Sequence, residues 1–197
     1  MTVQLLGLPT GASAPEPAAG SPGPQAAGSI PLRAIKVDGD TADWDGLDPL
    51  FRDAVGDDGG QYAGTDLERV YLARDRRSLY VRFALAGQGL PARAREYRQA
   101  LLAVNLMSGD YLLLAAFYRE GWRAAVHTWN PKTGKSAPLA FGAMARSGDG
   151  FEARFPMETL RGYLQEGKPY AISAKIGVAS DNRYRDLDTT APRFLNW

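Results

Sequence analysis

Five aspartates crowd one short stretch near the start of the chain: Asp38, Asp40, Asp43, Asp45 and Asp48, with Trp44 among them. Carboxylates at two- and three-residue spacing are the donors that a hard cation such as Ca2+ takes. Asp38, Asp40 and Asp45 are therefore the expected ligands of a structural calcium. The stretch is not an EF-hand loop, since that loop's glycine and terminal glutamate are missing. A second reading needs no metal, because aspartates in tight turns accept hydrogen bonds from their own backbone.

The second chemical grouping surrounds His127, the one histidine of the chain. Residues 122–129 alternate as a strand does. Trp122, Ala124 and Val126 face one way; Arg123, Ala125, His127 and Trp129 face the other. Trp129 ends this run beside a polar turn at 130–135. A tryptophan ring offers a flat apolar platform to the apolar face of a sugar, and His127 and Arg123 supply hydrogen bonds for its hydroxyls. The same residues equally make an ordinary, half-exposed sheet face that binds nothing.

Other chemistries lack their residues. A single histidine with neither cysteine nor clustered acid partners makes no zinc site. No Ser-His-Asp order, phosphate loop or metalloprotease helix is present. A glycosidase needs two opposed carboxylates; Glu152 points outward from a strand with no second acid to pair with it. No catalysis is expected. Lys and Arg total 23 against 22 Asp and Glu, a net charge of +1, so no basic field favours nucleic acid or anionic lipid. The arginines at 74, 76, 77, 93, 95 and 98 are interspersed with acids and read as solvated surface. Without cysteine there are no disulfides. No apolar run approaches the roughly 20 residues of a membrane span. The opening MTVQLLGLP lacks a basic n-region and does not read as an intact signal peptide.

These groups are carried by two regions. Residues 1–28 form a tail that is almost all Pro, Ala, Gly and Ser from Pro9 onward, with Glu16 its one charge there. Such a segment buries too little to offset its ordering entropy, and its prolines make it a partly extended spacer. It reads as a disordered tether of the kind found on exported proteins. Its apolar residues Val3, Leu5, Leu6 and Leu8 offer an alternative, docking on a partner or on the domain. Residues 29–197 are one domain with enough apolar content for a single core.

Within the domain the hydrophobic period is two. Val70 and Leu72 oppose Arg69, Tyr71 and Ala73; Leu79, Val81, Phe83 and Leu85 oppose Tyr80, Arg82 and Ala84. Together they predict a β-hairpin. A second hairpin spans 100–106 and 110–118 around Ser108-Gly109, and its later strand, apolar on both faces, belongs at a sheet centre. Strands follow at 122–129, 139–145, 151–155 and 170–178, with a short helix at 157–164 after Pro156. The expected core includes Trp44, Val70, Leu72, Val81, Phe83, Val104, Phe151, Phe155, Ile172 and Ile176. Many short strands with turns every eight to twelve residues predict an all-β antiparallel sandwich.

The order of these features resembles the family-nine carbohydrate-binding modules and their DOMON-like relatives. The resembling pieces are Val37-Asp38-Gly39-Asp40 with Trp44, the hairpin from Val70 to Phe83, and Gly150 to Pro156 running into Leu160. They extend from Ile35 to about Pro192. The resemblance implies a β-sandwich of jelly-roll type and a non-catalytic domain of an exported or cell-envelope protein with a saccharide ligand. It also makes calcium plausible. Sugar-binding members clamp a terminal sugar between two loop tryptophans. Here the corresponding loop 88–99 has only Tyr97, and the loop 179–197 has Tyr184, Phe194 and Trp197. Tyr97 and Trp197 are the residues that this resemblance adds to the expected site. Some DOMON-like relatives hold haem through Met or His, which nominates His127 with Met107, Met144 or Met157. The remaining alternative is a structural or assembly domain that packs on another envelope protein.

Overall fold

The computed structural model describes residues 28–57, 66–86, 97–106, 108–118, 122–180 and 183–197. The tail with Val3, Leu5, Leu6 and Leu8, and Met107, lie outside the described residues. The strands are β1 (Gly28–Ser29), β2 (Phe51–Arg52), β3 (Leu67–Arg74), β4 (Ser78–Leu85), β5 (Tyr97–Asn105) and β6 (Tyr111–Tyr118). Then come β7 (Trp122–Asn130), β8 (Lys135–Ser147), β9 (Gly150–Pro156), β10 (Pro169–Ser180), β11 (Arg183–Thr189) and β12 (Arg193–Asn196). Among the described residues one helix, α1 (Met157–Arg161), follows β9, and a 3-10 turn covers Thr41–Trp44. No helix among the described residues is long and apolar enough to cross a membrane.

Strand pairing runs unbroken in the order β1-β12-β10-β5-β6-β7-β8-β9-β4-β3-β2, with β11 also beside β10. The join is β8. Its residues 135–142 pair with β7, and its residues 143–147 pair with β9. The continuous ladder thus folds over into two layers: a first sheet from β1 to the start of β8, and a second from the end of β8 to β2. The pairing is antiparallel except for β1 with β12 and an isolated parallel bridge at Leu32. This is the antiparallel sandwich that the alternation predicts. Gly142 lies where β8 changes sheets. A Cβ there would collide with the Arg154 carbonyl oxygen and press on Ala124, so the bend needs a residue without one.

The period of two sorts each strand between a shared core and an outer face. Val70, Leu72, Val81, Phe83, Phe151 and Phe155 of the second sheet share one core with Val104, Ile172 and Ile176 of the first. Phe83 and Phe151 meet at 5.1 Å between ring centroids. Met157 and Leu160 of α1 extend this core. Trp44 is buried as expected but elsewhere: with Ile35 it covers the outer face of the second sheet, against Tyr71, Ala73, Tyr80 and Ala84. β6 is central, between β5 and β7.

Three expectations need correction. The region after residue 178, expected as a loop, holds β11 and β12. Its residues 183–189 carry four charges and little apolar alternation, so pairing with β10 and not side-chain pattern makes them strand. β8 is 13 residues long, not the shorter strand expected, because it serves two sheets. The helix stops at Arg161.

Candidate functional site

At one end of the first sheet, the start of β6, the end of β7 and the start of β8 enclose an open cleft of about 470 Å3. Asp110, Trp129, Asn130, Thr133, Lys135 and Ser136 line it. Strand register builds it, since Tyr111 stands directly opposite Trp129, and Asn130 opposite Lys135. The Tyr111 and Trp129 rings lie 5.3 Å apart at 43°. Both are partly buried and rest on an apolar patch of Leu101, Ala103, Leu113, Ala115 and Ala125. That patch is the face of the first sheet turned away from the core.

The rim is fixed by the turn after β7. Asn130 Nδ2 donates to Asp110 at 2.8 Å, while Asn130 Oδ1 accepts from the Thr133 backbone N–H at 2.9 Å and from its hydroxyl at 3.2 Å. Gly134, with φ of 66°, takes the left-handed conformation that closes the turn. Both ends of the Asn130 amide are thus used within the scaffold. Asp110, Asn130, Thr133, Lys135 and Tyr111 were not anticipated as site residues. The N-P-x-T-G turn was visible in the sequence, but the register that brings Asp110 and Tyr111 to it was not.

Of the expected residues, Trp129 and His127 share one face of β7 as foreseen. His127 is not half-exposed; it is 3% exposed, and neither ring nitrogen has a hydrogen-bond partner among the described residues. Burial lowers its pKa to about 4, so the ring is neutral at physiological pH. Its cross-strand neighbours are Leu113 and Pro138. Arg123 is exposed on the same face, six residues and about 20 Å along the strand from Trp129, too far to touch one sugar ring there. Tyr97 does not lie in a loop but opens β5. Register puts it past the Trp122 end of β7, about 25 Å from Trp129. Trp197 is 6% exposed and belongs to the core. Tyr97, Trp129 and Trp197 therefore do not form one groove. Met144 and Met157 pack on the core side of the sheets, whereas His127 is on the outer face, so they do not stand with it as a ligand pair.

In the acidic turn, the Asp38 carboxylate accepts from the Asp40 N–H at 3.0 Å and pairs with Lys36 at 2.8 Å. Asp40 accepts from the Ala42 N–H at 3.0 Å and caps the 3-10 turn, and Asp43 accepts from the Lys36 N–H at 2.8 Å. The Asp45 carbonyl accepts from the Arg33 guanidinium at 2.6 Å. Three other carboxylates, on Asp53, Asp57 and Asp188, bring one oxygen each within 4.8 Å of one another. Asp188 also accepts from the Leu67 N–H at 2.6 Å, which ties β11 to the second sheet. Burial, with the nearby charges of Asp53 and Asp57, raises the Asp188 pKa to about 6.

No family model matches the sequence, and no curated protein matches it. Among solved structures, the chain is similar to a carbohydrate binding module family 9 (CBM9) from Caldicellulosiruptor kristjanssonii in complex with glucose. That similarity has a TM-score of 0.41 at 16% sequence identity and covers 80% of this chain and 82% of the other.

Proposed function

We propose that this chain is a non-catalytic saccharide-binding domain of an exported or cell-envelope protein, and that the sugar sits in the cleft at Trp129. The observation that carries this reading is a partly exposed tryptophan, backed by Tyr111, inside a rim of fixed polar groups. A ring with one apolar face and a periphery of hydroxyls suits such a platform, and the few polar groups set its orientation. The cleft is open, which suits a chain end or a short stretch of a polysaccharide. The test is retention on a panel of insoluble polysaccharides and a glycan array, for the wild type and for Trp129→Ala with its fold verified by circular dichroism. The expected result is retention of the wild type and a loss of about tenfold or more in affinity for the variant, the effect of removing a central aromatic contact. No retention of the wild type on any polysaccharide favours the structural or assembly role instead. That rival has its own observation: Phe141 is 64% exposed on the half of β8 that pairs on one side alone among the described residues.

A structural calcium is a separate proposal. Asp38, Asp40 and Asp45 are the first donor set proposed, and Asp53, Asp57 and Asp188, with one oxygen each within 4.8 Å of one another, are a second. A cation bound by the folded state alone raises its melting temperature. Millimolar calcium is expected to raise it relative to a chelator in the wild type, and loss of that rise in Asp45→Asn or in Asp57→Asn tells which set binds. Identical melting of the wild type in both buffers removes the proposal.

A further inference from the structure

Residues 33–47 close the outer face of the second sheet. Trp44 and Ile35 bury against Tyr71, Ala73, Tyr80 and Ala84, and the Trp44 ring lies 6.2 Å from that of Tyr71. Backbone bonds fasten the start of the segment to β3: Arg33 N–H to the Arg74 carbonyl at 2.8 Å, and Arg74 N–H to the Pro31 carbonyl at 2.9 Å. At Gly39 the chain approaches β8 so closely that a Cβ would collide with the Arg146 carbonyl oxygen. On the covered face lies Glu152 of β9. It is 0% exposed, and among the described residues no group meets its carboxylate oxygens in full hydrogen-bond geometry. The Trp44 indole N–H, likewise buried, is the donor nearest that carboxylate and favours its charged form.

The groups around Glu152 do not neutralise it. Its cross-strand neighbour on β4 is Arg82, whose guanidinium is held by both oxygens of Asp149 at 2.6 and 2.9 Å and lies over the Tyr71 ring at 5.1 Å. On β8 the neighbour is Ala145. Arg154, two residues along β9, is exposed. The Tyr80 hydroxyl on β4 donates to Asp75. From the covering segment Asp38 and Asp43 oppose the charging of Glu152, and the cation beside them, Lys36, is paired with Asp38.

We propose that residues 33–47 are a proton-controlled latch, held closed over the second sheet by a neutral Glu152 and released when Glu152 ionises. A neutral acid is tolerated in this place. A carboxylate there is out of water with only the Trp44 N–H to offset that loss and shares the site with two others, and lifting the segment both hydrates it and removes Asp38 and Asp43. Burial, then Asp38 and Asp43, working against Arg82 and the Trp44 N–H, push the Glu152 pKa from 4.5 up to about 7, so ionisation falls near neutral pH. An acid whose value is raised in the closed state favours closure below its ordinary value. It loses that contribution as pH rises from 4.5 towards 7.

Amide hydrogen exchange of the whole chain, read by mass spectrometry at pH 6 and pH 8 and corrected for the intrinsic rate, tests this. Peptides covering 33–47 are expected to lose about tenfold in protection at pH 8, while those covering β3 and β4 keep theirs. In Glu152→Gln, whose side chain cannot ionise, the protection of 33–47 is expected to be equal at both values. Equal protection in the wild type, or the same tenfold loss in Glu152→Gln, overturns the latch. Asp38→Asn keeps the test open if Glu152→Gln does not fold. Removing one of the opposing charges is expected to move the midpoint of the loss to lower pH, and an unmoved midpoint overturns the proposal.

Discussion

An imidazole with neither nitrogen bonded contributes only its volume to the outer face of β7, and it does so only while neutral. Replacing it with an apolar side chain of similar size removes an unsatisfied group and leaves no partner stranded. His127→Leu is therefore expected to be as stable as the wild type or more so at pH 7.5. The depressed pKa sharpens this. A base whose folded value lies at about 4, below its ordinary 6.5, loses stability as pH falls from 6.5 towards 4. Urea unfolding of both proteins at pH 7.5 and pH 5 should show the gap widening at pH 5, and a gap independent of pH would mean that His127 is hydrated. The shared face of His127 and Trp129 was legible because a strand's period is two. That Arg123 stands too far away was also countable, at about 3.3 Å per residue. The place of Trp197 was not, since nothing in Phe194-Leu195-Asn196-Trp197 says whether that segment turns inward.

At the scale of elements, the strands read most clearly from sequence are those whose residues alternate between two faces, β3, β4 and β9, although residues 33–47 cover the outer face as well. β8 was the hard one. Its 13 residues include Pro138 and Gly142, which ordinarily demote a strand. Both have local reasons. Pro138 lies in the half that, among the described residues, pairs with β7 alone, so its missing N–H can face an unpaired edge. Gly142 allows β9 to approach at the bend. Gly142→Ala is expected to cost about 1–3 kcal/mol, the range for forcing extra volume into a packed site. Urea unfolding measures it; a loss below about 0.5 kcal/mol, the size of ordinary surface effects, would mean that the bend has room. β11 and β12 escaped the sequence because their pairing is a property of β10 as a template. The cleft was half legible for the same reason: the polar turn after Trp129 is local, but its meeting with Asp110 depends on the β6–β7 register.

For the whole molecule, three buried groups act on stability in two directions. Glu152 favours the folded state increasingly as pH drops from 7 to 4.5 and Asp188 as it drops from 6 to 3.8, whereas His127 weakens it as pH drops from 6.5 to 4. The melting temperature, measured in chelator, is expected to fall as pH rises from about 4.5 to 7, with Glu152→Gln removing most of that fall. A profile that rises steadily from pH 5 to 8 would refute the assignment of both acids. The strand shared by the two sheets has a further consequence, in the order of synthesis. The first sheet's β5, β6, β7 and the start of β8 form a meander of neighbours that can pair as they emerge. β4 has no such fortune, because its partner β9 is about 70 residues downstream, as the pairing of Val81 with Ala153 shows. On a ribosome the β3–β4 hairpin therefore waits for several seconds with a bare apolar edge, and Arg82 waits for Asp149. The interval of greatest exposure to aggregation or to a chaperone is the passage of residues 86–150 through the exit tunnel.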